Sequence, residues 1–359
     1  MGHSRLRRMC LIAMLTVGGV VLADTLQVGG AARTGAKIKS YRNGMFDYTL
    51  DGRAVDPMAG DRVSQIALDD DPVLSSAEQA FVGEKWAAAA DGYQAALKAT
   101  NRAWLRDWVL PRMLVAAERA GKFDVEVSAF VQMLGRDAGG AMRYRPRPVE
   151  GTAAGALTGA AGELSRASAL ATLSVTQKQA ILSLLMDVQR VQGDMTGATK
   201  LSEQLLKSAV LDKADPASAK VQADIYVGSA RLALVTKDYG RAKTLIEQNR
   251  ALFVDGVQQV EALYCLAAAR DGELGANASK EAMEDLAIEY MRVVSAGRGG
   301  GDRRYVPEAL LRVGELQEQL GDRVAAETLY AEVTGEYKGS PAAARAAARQ
   351  QQIKGKPGN

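Results

Sequence analysis

Hydrophobic residues follow two different periods along this chain. Between Met45 and Leu50, apolar side chains alternate with polar ones, and this spacing of two predicts a β-strand. From residue 75 onward, apolar positions recur every three or four residues, which predicts helices of about 12 to 18 residues separated by short breaks. The pattern therefore predicts a mainly α protein with a small β segment ahead of the helices.

Residues 24–70 carry the β pattern, and two strong turn signals divide it. Asn43-Gly44 and Asp51-Gly52 are typical of two-residue hairpin loops, so we expect a meander of about five short strands. A meander this small buries apolar side chains only if it curls on itself. In size and pattern the segment resembles a small all-β module of the Sm-like barrel type.

A short phrase recurs between the predicted helices. It consists of a residue suited to a tight turn, an acid or a lysine, a bulky residue and, in most copies, an alanine three positions later. The copies are Gly83-Glu84-Lys85-Trp86 with Ala89, Gly121-Lys122-Phe123, Gly193-Asp194-Met195 with Ala198, Lys237-Asp238-Tyr239 with Ala242, and Gly321-Asp322-Arg323 with Ala326. Repeated turn chemistry of this kind predicts stacked helical hairpins. An ordinary helical bundle with the same apolar period is the alternative.

The hairpins should be held together by bulky residues at the turns, by alanines where two helices approach closely, and by tyrosines facing the next hairpin. These packing residues are Trp86, Ala89, Tyr93, Ala96, Phe123, Ala198, Tyr239, Ala242, Ala326 and Tyr330. The spacing of the first four, and the ending Tyr337-Lys338-Gly339-Ser340-Pro341, resemble tetratricopeptide repeats (TPR) of exported bacterial envelope proteins, such as the Tol-Pal accessory and outer-membrane assembly types.

The resemblance covers roughly residues 75–350 and implies a TPR-like α-α solenoid of about six helical hairpins. Such a superhelix has a concave groove, lined by the first helix of each pair, in which an extended peptide or a partner helix docks. The candidate groove residues on those helices are Arg102, Arg106, Lys178, Lys220, Arg231 and Arg312.

Breaks in the pattern define the expected organisation. Gly139-Gly140 and the run from Tyr144 to Pro148 interrupt the helices, and residues 149–163 are rich in Gly, Ala and Thr without a period. The expected segments are a signal peptide (1–23), the β module (24–70), N-terminal TPR-like hairpins (71–142), an irregular linker (143–164), C-terminal TPR-like hairpins with a capping helix (165–352) and a disordered tail (353–359).

The first 23 residues have the layout of a secretory signal peptide. Arg5, Arg7 and Arg8 precede an apolar run of about 14 residues, and a small residue, Ala23, marks the expected cleavage site. A bilayer-spanning helix needs about 20 residues, so a retained anchor is the alternative reading. The pattern predicts export to the periplasm or cell envelope.

Removal of that segment changes the chemical inventory. The full chain has 45 basic and 42 acidic residues, and the three arginines of the segment leave 42 of each. A neutral chain offers no electrostatic footprint for nucleic acid. The one histidine, His3, and Cys10 are also removed, which leaves Cys265 on an apolar helix face, where free cysteines are usually buried.

No metal or cofactor is expected. The mature chain has no histidine for metal ligation or general base catalysis. Asp69, Asp70 and Asp71 are adjacent, so their carboxylates point in different directions, and they predict a solvated linker with a helix start.

The expected function is that of a non-catalytic exported scaffold that binds a protein or peptide partner in cell-envelope assembly, with self-association left open. The alternative is a helical carbohydrate-active enzyme that uses two carboxylates, or a glycan-binding protein. Trp104 and Trp108 lie four residues apart and are expected in the core rather than in a sugar-binding patch. A third possibility is that the β module recognises the partner.

Overall fold

The structure is a computed structural model that describes residues 23–254, 256–275, 278–299 and 303–354. Residues 1–22 of the expected signal segment, the glycines at 300–301 and the tail after residue 354 lie outside the described residues. The protein is mainly α, as the periodicity predicted, with one small antiparallel sheet. The chain divides into two compact units between Ala116 and Ala117, inside the third helix.

The first unit contains the sheet. Its strands are β1 (Asp24–Val28), β2 (Ala31–Arg42), β3 (Met45–Leu50), β4 (Arg53–Ala54), β5 (Met58–Ala59) and β6 (Val63–Ala67). The sheet order is β4-β3-β2-β1-β6, and β5 also pairs with β3. Both residues of each predicted hairpin turn have positive φ, from 47° to 77°, which is the backbone that joins β2 to β3 and β3 to β4.

The strand pairings require the sheet to curl. Because β5 lies beside β3 and β6 beside β1, about 19 Å would separate β5 from β6 in a flat sheet. The four steps from Ala59 to Val63 reach at most about 14 Å, and a 3₁₀ turn shortens them further. Gly35 provides the bend in β2: its φ is +77°, and a Cβ there would overlap the Asp51 carboxylate.

A buried carboxylate joins the sheet to the helices of the first unit. Glu78 accepts hydrogen bonds from the Ile66 amide of β6 (3.0 Å), the Tyr93 hydroxyl (2.8 Å) and the Trp108 indole (3.0 Å). Arg112 lies 3.5 Å from the same carboxylate and stacks on the Trp108 ring at 4.0 Å. With partners on each side, Glu78 is a structural group.

The helices are α1 (Pro72–Val82), α2 (Trp86–Ala99), α3 (Ala103–Ala120), α4 (Phe123–Leu134), α5 (Ala138–Ala141), α6 (Ala154–Ser168), α7 (Val175–Gln192), α8 (Met195–Ser208), α9 (Ser218–Val235), α10 (Tyr239–Gln248), α11 (Gly256–Leu274), α12 (Lys280–Arg298), α13 (Val306–Leu320), α14 (Arg323–Glu336) and α15 (Pro341–Lys354). Within the described residues, no helix is long and apolar enough to span a membrane.

Two predicted boundaries were wrong. The expected irregular linker at 143–164 is helical in its second half, where α6 begins at Ala154 and buries Leu157, Ala160 and Leu164. Glycine and alanine dominate this helix on all sides, so its buried stripe gives no visible period in the sequence. The expected tail begins too early, because α15 continues to Lys354 and Ile353 is buried.

The repeated phrase has one backbone geometry in all five copies. A residue with positive φ ends one helix (Glu84, Gly121, Gly193, Lys237 and Gly321). The next residue donates its N–H to the carbonyl five positions back, at 2.8 to 2.9 Å, which is the Schellman closure of a helix C-terminus. The following bulky residue begins the next helix. The phrase is thus a C-cap and an N-cap joined without a loop.

The packing residues predicted from the phrase lie at helix contacts. Trp86 and Tyr239 are half-buried. The remaining eight are buried: Ala89, Tyr93, Ala96, Phe123, Ala198, Ala242, Ala326 and Tyr330. The second copy departs from the phrase, because Glu126 occupies the position of the buried alanine.

Helices of the second unit pack in chain order. Each helix from α6 to α15 contacts the next one, and α4 packs on α6. Alternate helices also meet, since α9 contacts both α7 and α11. The first helices of successive pairs therefore lie side by side in this part of the unit.

Candidate functional site

An extended segment crosses the helices of the second unit. We call residues 145–148, with the sequence Arg-Pro-Arg-Pro, the strap. Arg145, Pro146 and Pro148 are buried and Arg147 is half-buried, whereas the flanking Tyr144 and Val149 are exposed. The strap follows a 3₁₀ turn at Met142–Tyr144 and precedes α6. A buried, non-helical segment between exposed ends is seated like a bound peptide.

Proline determines the extended backbone of the strap. Pro146 and Pro148 cannot continue a helix, and each disfavours helical backbone at the residue before it. Arg145 accordingly has φ −57° and ψ 122°. Beyond the strap, the Thr152 hydroxyl donates to the Val149 carbonyl at 2.8 Å and closes an exposed turn. The two arginines, two positions apart, both reach carboxylates.

Three buried carboxylates receive the strap, one from each of the helices α7, α9 and α11. Asp187, Asp224 and Glu261 are 1%, 4% and 1% exposed. Each lies directly between two buried apolar residues in the sequence: Met186 and Val188, Ala223 and Ile225, Val260 and Ala262. Carboxylates at such positions need cationic partners, because an isolated charge in the interior is costly.

Arg145 binds two of these carboxylates. Its Nη2 donates to Asp187 Oδ2 at 2.9 Å and to the Ser183 hydroxyl at 3.3 Å, and its Nε lies 3.4 Å from Asp224 Oδ2. The side chain is 2% exposed. Arg145 therefore bridges α7 and α9.

Arg147 continues the same arrangement one step along the helices. Its guanidinium donates to Glu261 Oε1 and lies 4.0 Å from Asp224 Oδ1. It bridges α9 and α11. The strap as a whole therefore connects α7, α9 and α11, each of which is the first helix of its pair. Asp224 lies between the two strap arginines and is also bound by the Gln258 amide at 2.9 Å.

The helices and the turn before α13 supply further cations. Arg231 donates to both oxygens of Asp187, at 2.8 and 2.9 Å, and lies 3.7 Å from Glu261. Arg304 lies 3.2 Å from Glu261, and Arg190 lies 3.9 Å from Asp187. Asp187 and Glu261 thus have arginine partners both on the strap and elsewhere in the unit.

These arginines keep the carboxylates ionised. Burial alone would raise the pKa of Asp187, but the charges of Arg231 and Arg145 outweigh it and hold that pKa below its usual value. Burial likewise opposes ionisation of Glu261, and Arg147, Arg231 and Arg304 hold its pKa well below the usual range.

The charge balance depends on whether the strap is counted. Three carboxylates face five guanidinium groups when Arg145 and Arg147 are included, and three when they are not. Arg190 lies close to other cations. Burial, and then the positive charge of Arg231, lower the pKa of its guanidinium. The carboxylates and arginines that lie outside the strap therefore balance one another.

The arrangement holds an extended segment of the chain through two arginines. Three neighbouring helices, α7, α9 and α11, each present one buried carboxylate, and the strap arginines contact all three carboxylates. Among the described residues, no group of three or more His, Cys, Asp or Glu side chains is placed to hold a metal ion.

The predicted groove arginines and lysines are scattered. Arg231 lies in the carboxylate cluster. Arg312 pairs with Asp271 at 2.6 Å, and Lys178 is half-buried on α7. Lys220 accepts, through its backbone carbonyl, a hydrogen bond from Gln258 at 2.9 Å. In the first unit, Arg102 pairs with Asp70, and Arg106 donates to the Leu97 carbonyl at 3.4 Å.

Sequence reasoning missed the strap and its carboxylates. The prolines predict a break in the helices, but two arginines separated by a proline also indicate an extended segment with both charges available. Single acids enclosed by apolar residues on a helix were the second signal. Neither signal shows which arginine pairs with which carboxylate, because the paired residues are far apart in the sequence; Arg147 and Glu261 are separated by 114 positions.

Trp108 and Cys265 are buried, as the sequence predicted, whereas Trp104 is not fully in the core. Trp108 is buried and packs on Phe46 at 4.8 Å between ring centres. Trp104 is half-buried and meets Phe46 edge-on at 6.5 Å. Cys265 is free and buried, and burial raises the pKa of its thiol to about 12.

Comparisons with known proteins identify no family. No protein-family model matches the chain, and no curated protein matches it. Among solved structures, BtubC (BKLC) from P. vanneervenii aligns over 79% of this chain and 92% of its own length, with 14% identity and a TM-score of 0.36. A likeness at that TM-score carries no argument about function.

Proposed function

We propose that the protein is a non-catalytic scaffold that binds an extended segment of a protein partner on the faces of α7, α9 and α11. The observation that supports the proposal is the strap, an extended segment held on those helices by paired arginines and carboxylates. Helices presented side by side are a common platform for peptide recognition.

The proposal includes a TPR-like solenoid for the second unit. Support comes from the shared turn geometry of the repeated phrase and from the order in which the helices pack. The Sm-like barrel of the first unit is proposed on the curl that the strand pairings require. Export to the cell envelope is proposed from the basic and apolar pattern of residues 1–23.

Capture of a partner from envelope fractions tests the proposal. The wild-type protein should retain a partner through washing, and Asp224→Asn should reduce the capture because it removes a carboxylate from the peptide-binding face. Glu289→Gln is the matched control, since Glu289 pairs with Arg270 away from the strap. Equal capture by both variants, with circular dichroism unchanged, would contradict the assigned face.

A further inference from the structure

The strap resembles a bound ligand more than a permanent part of the fold, because two of the carboxylates that bind it also have arginine partners elsewhere in the unit. Asp187 keeps Arg231 at 2.8 Å and Glu261 keeps Arg304 at 3.2 Å when the strap is disregarded. Leaving a buried carboxylate without a cation is what makes a broken internal ion pair costly. Departure of the strap leaves both of these carboxylates paired. Asp224 keeps the Gln258 amide but loses both of its arginines, so the segment that replaces the strap has to supply a cation to Asp224.

The strap is also connected in a way that allows exchange. Exposed residues flank it on both sides, with Tyr144 39% exposed before it and Val149 52% exposed after it. Only four residues are seated, and they are held mainly through the Arg145 and Arg147 side chains. A segment tethered at both ends competes with any free ligand at an effective concentration of about millimolar.

We infer that the strap is an internal competitor, and that the partner segment which replaces it is an extended peptide with two arginines separated by one residue, as in Arg-Pro-Arg. This inference rests on the proposed function and names the partner chemistry of the same face. Asp224, between the two strap arginines, is the carboxylate that such a peptide would use most.

The geometry restricts the partner segment in two ways. Both arginines must reach the helices, since Arg145 spans Asp187 and Asp224 while Arg147 spans Asp224 and Glu261. The residue between them is buried Pro146, and Pro148 is buried too. A helical segment does not satisfy both conditions, because two arginines two positions apart on a helix point to nearly opposite faces, about 160° apart around the axis.

A synthetic peptide tests the inference. The probe has the sequence of residues 143–149, Arg-Tyr-Arg-Pro-Arg-Pro-Val, with capped ends and a fluorescent label, and the control peptide carries alanine in place of the two seated arginines. Fluorescence anisotropy is measured on the full chain as wild type, as Arg145→Ala/Arg147→Ala, and as Arg143→Ala, which changes an exposed arginine just before the strap.

The double variant should bind the probe at least ~10-fold more tightly than the wild type, because the tethered competitor has lost its anchoring groups. Arg143→Ala should bind as weakly as the wild type, and the alanine peptide should bind none of the three. Adding Asp224→Asn to the double variant should weaken binding again by at least ~10-fold.

Failure of the folded double variant to bind the probe would overturn the inference and identify the strap as a permanent part of the fold. If the double variant does not fold, the wild type supplies the test: probe at millimolar concentration should bind and the alanine peptide should not. A wild-type dimer that the probe converts into monomers would assign the site to a second copy and would also overturn it. Partner capture that persists without probe binding would leave the proposed scaffold function intact.

Discussion

Buried carboxylates in the second unit differ in how they are compensated. Glu261 is in contact with Arg147 of the strap and with Arg231 and Arg304 outside it. Losing the carboxylate leaves three arginines close together, whereas losing Arg147 leaves a carboxylate that is still paired. The two halves of one ion pair should therefore contribute unequally to stability.

Glu261→Gln should lower the free energy of unfolding by about 3–5 kcal/mol, the usual cost of stranding buried charge. Arg147→Ala should lower it by less, about 1–2 kcal/mol, because Glu261 keeps two cations and the Arg147 side chain is 16% exposed. Urea unfolding at pH 7 measures both. Equal losses would contradict the charge balance outside the strap.

Glu126 is a buried carboxyl where the other copies of the phrase have alanine. Burial, and then the charge of Glu118, raise its pKa to about 8. Below about pH 4 the group is protonated in both the folded and the unfolded chain. Between about pH 4 and 8 only the folded chain keeps the proton, so Glu126 lowers stability as pH rises through this window.

Glu126→Gln should remove that pH dependence. Relative to wild type, the variant should gain about 2–4 kcal/mol on going from pH 5 to pH 8, with little difference at pH 4. Thermal unfolding at these pH values, with Glu203→Gln at an exposed carboxylate of α8 as the control, measures the effect. A constant difference between the two proteins at all pH values would refute the buried, protonated state.

At the level of elements, the sequence predicted the hairpin turns better than the helices they join. The repeated phrase located all five closures, because a positive-φ residue followed by a cap is a local requirement of the backbone. Helix α6 was missed because glycine and alanine fill most of its positions, and its buried face has only two large side chains, Leu157 and Leu164. Local backbone requirements could be predicted from the sequence, whereas a helix whose buried and exposed faces both consist largely of small residues could not.

The copies of the phrase differ in whether a side chain caps the start of the second helix. Asp194, Asp238 and Asp322 cap their helices by accepting from the amide three residues on, at 2.9, 3.1 and 2.9 Å. Lys85 has the same backbone, with φ −84° and ψ 66°, but makes no side-chain cap.

Lys85→Asp should therefore stabilise the protein by about 0.5–1 kcal/mol, through a new N-cap and a favourable charge at the helix start. Asp322→Ala should cost about 1 kcal/mol at the equivalent position. Differential scanning calorimetry measures both, with Lys85→Ala as the control for loss of the lysine. No gain from the aspartate over the alanine would show that this turn cannot accept a cap.

At the scale of the whole molecule, the sequence predicted a mainly α chain with a small sheet ahead of it, and the structure confirms both. It did not predict the carboxylate-bearing face of α7, α9 and α11, because the contacts that build it join positions far apart. Arg145 meets Asp187 and Asp224, and Arg147 meets Glu261, across several intervening helices. Of the predicted groove arginines, only Arg231 lies in the carboxylate cluster, and the others lie elsewhere.

The central claim is that the face of α7, α9 and α11 binds a protein partner, and crosslinking within cells that make the protein tests it most directly. A photo-reactive phenylalanine derivative replaces exposed Tyr144, next to the strap, or exposed Val324 on α14 as the control. We predict a discrete crosslinked partner from position 144 that disappears when Asp224→Asn is added, and none from position 324. Crosslinks of equal yield from both positions, or from position 324 alone, would contradict the account.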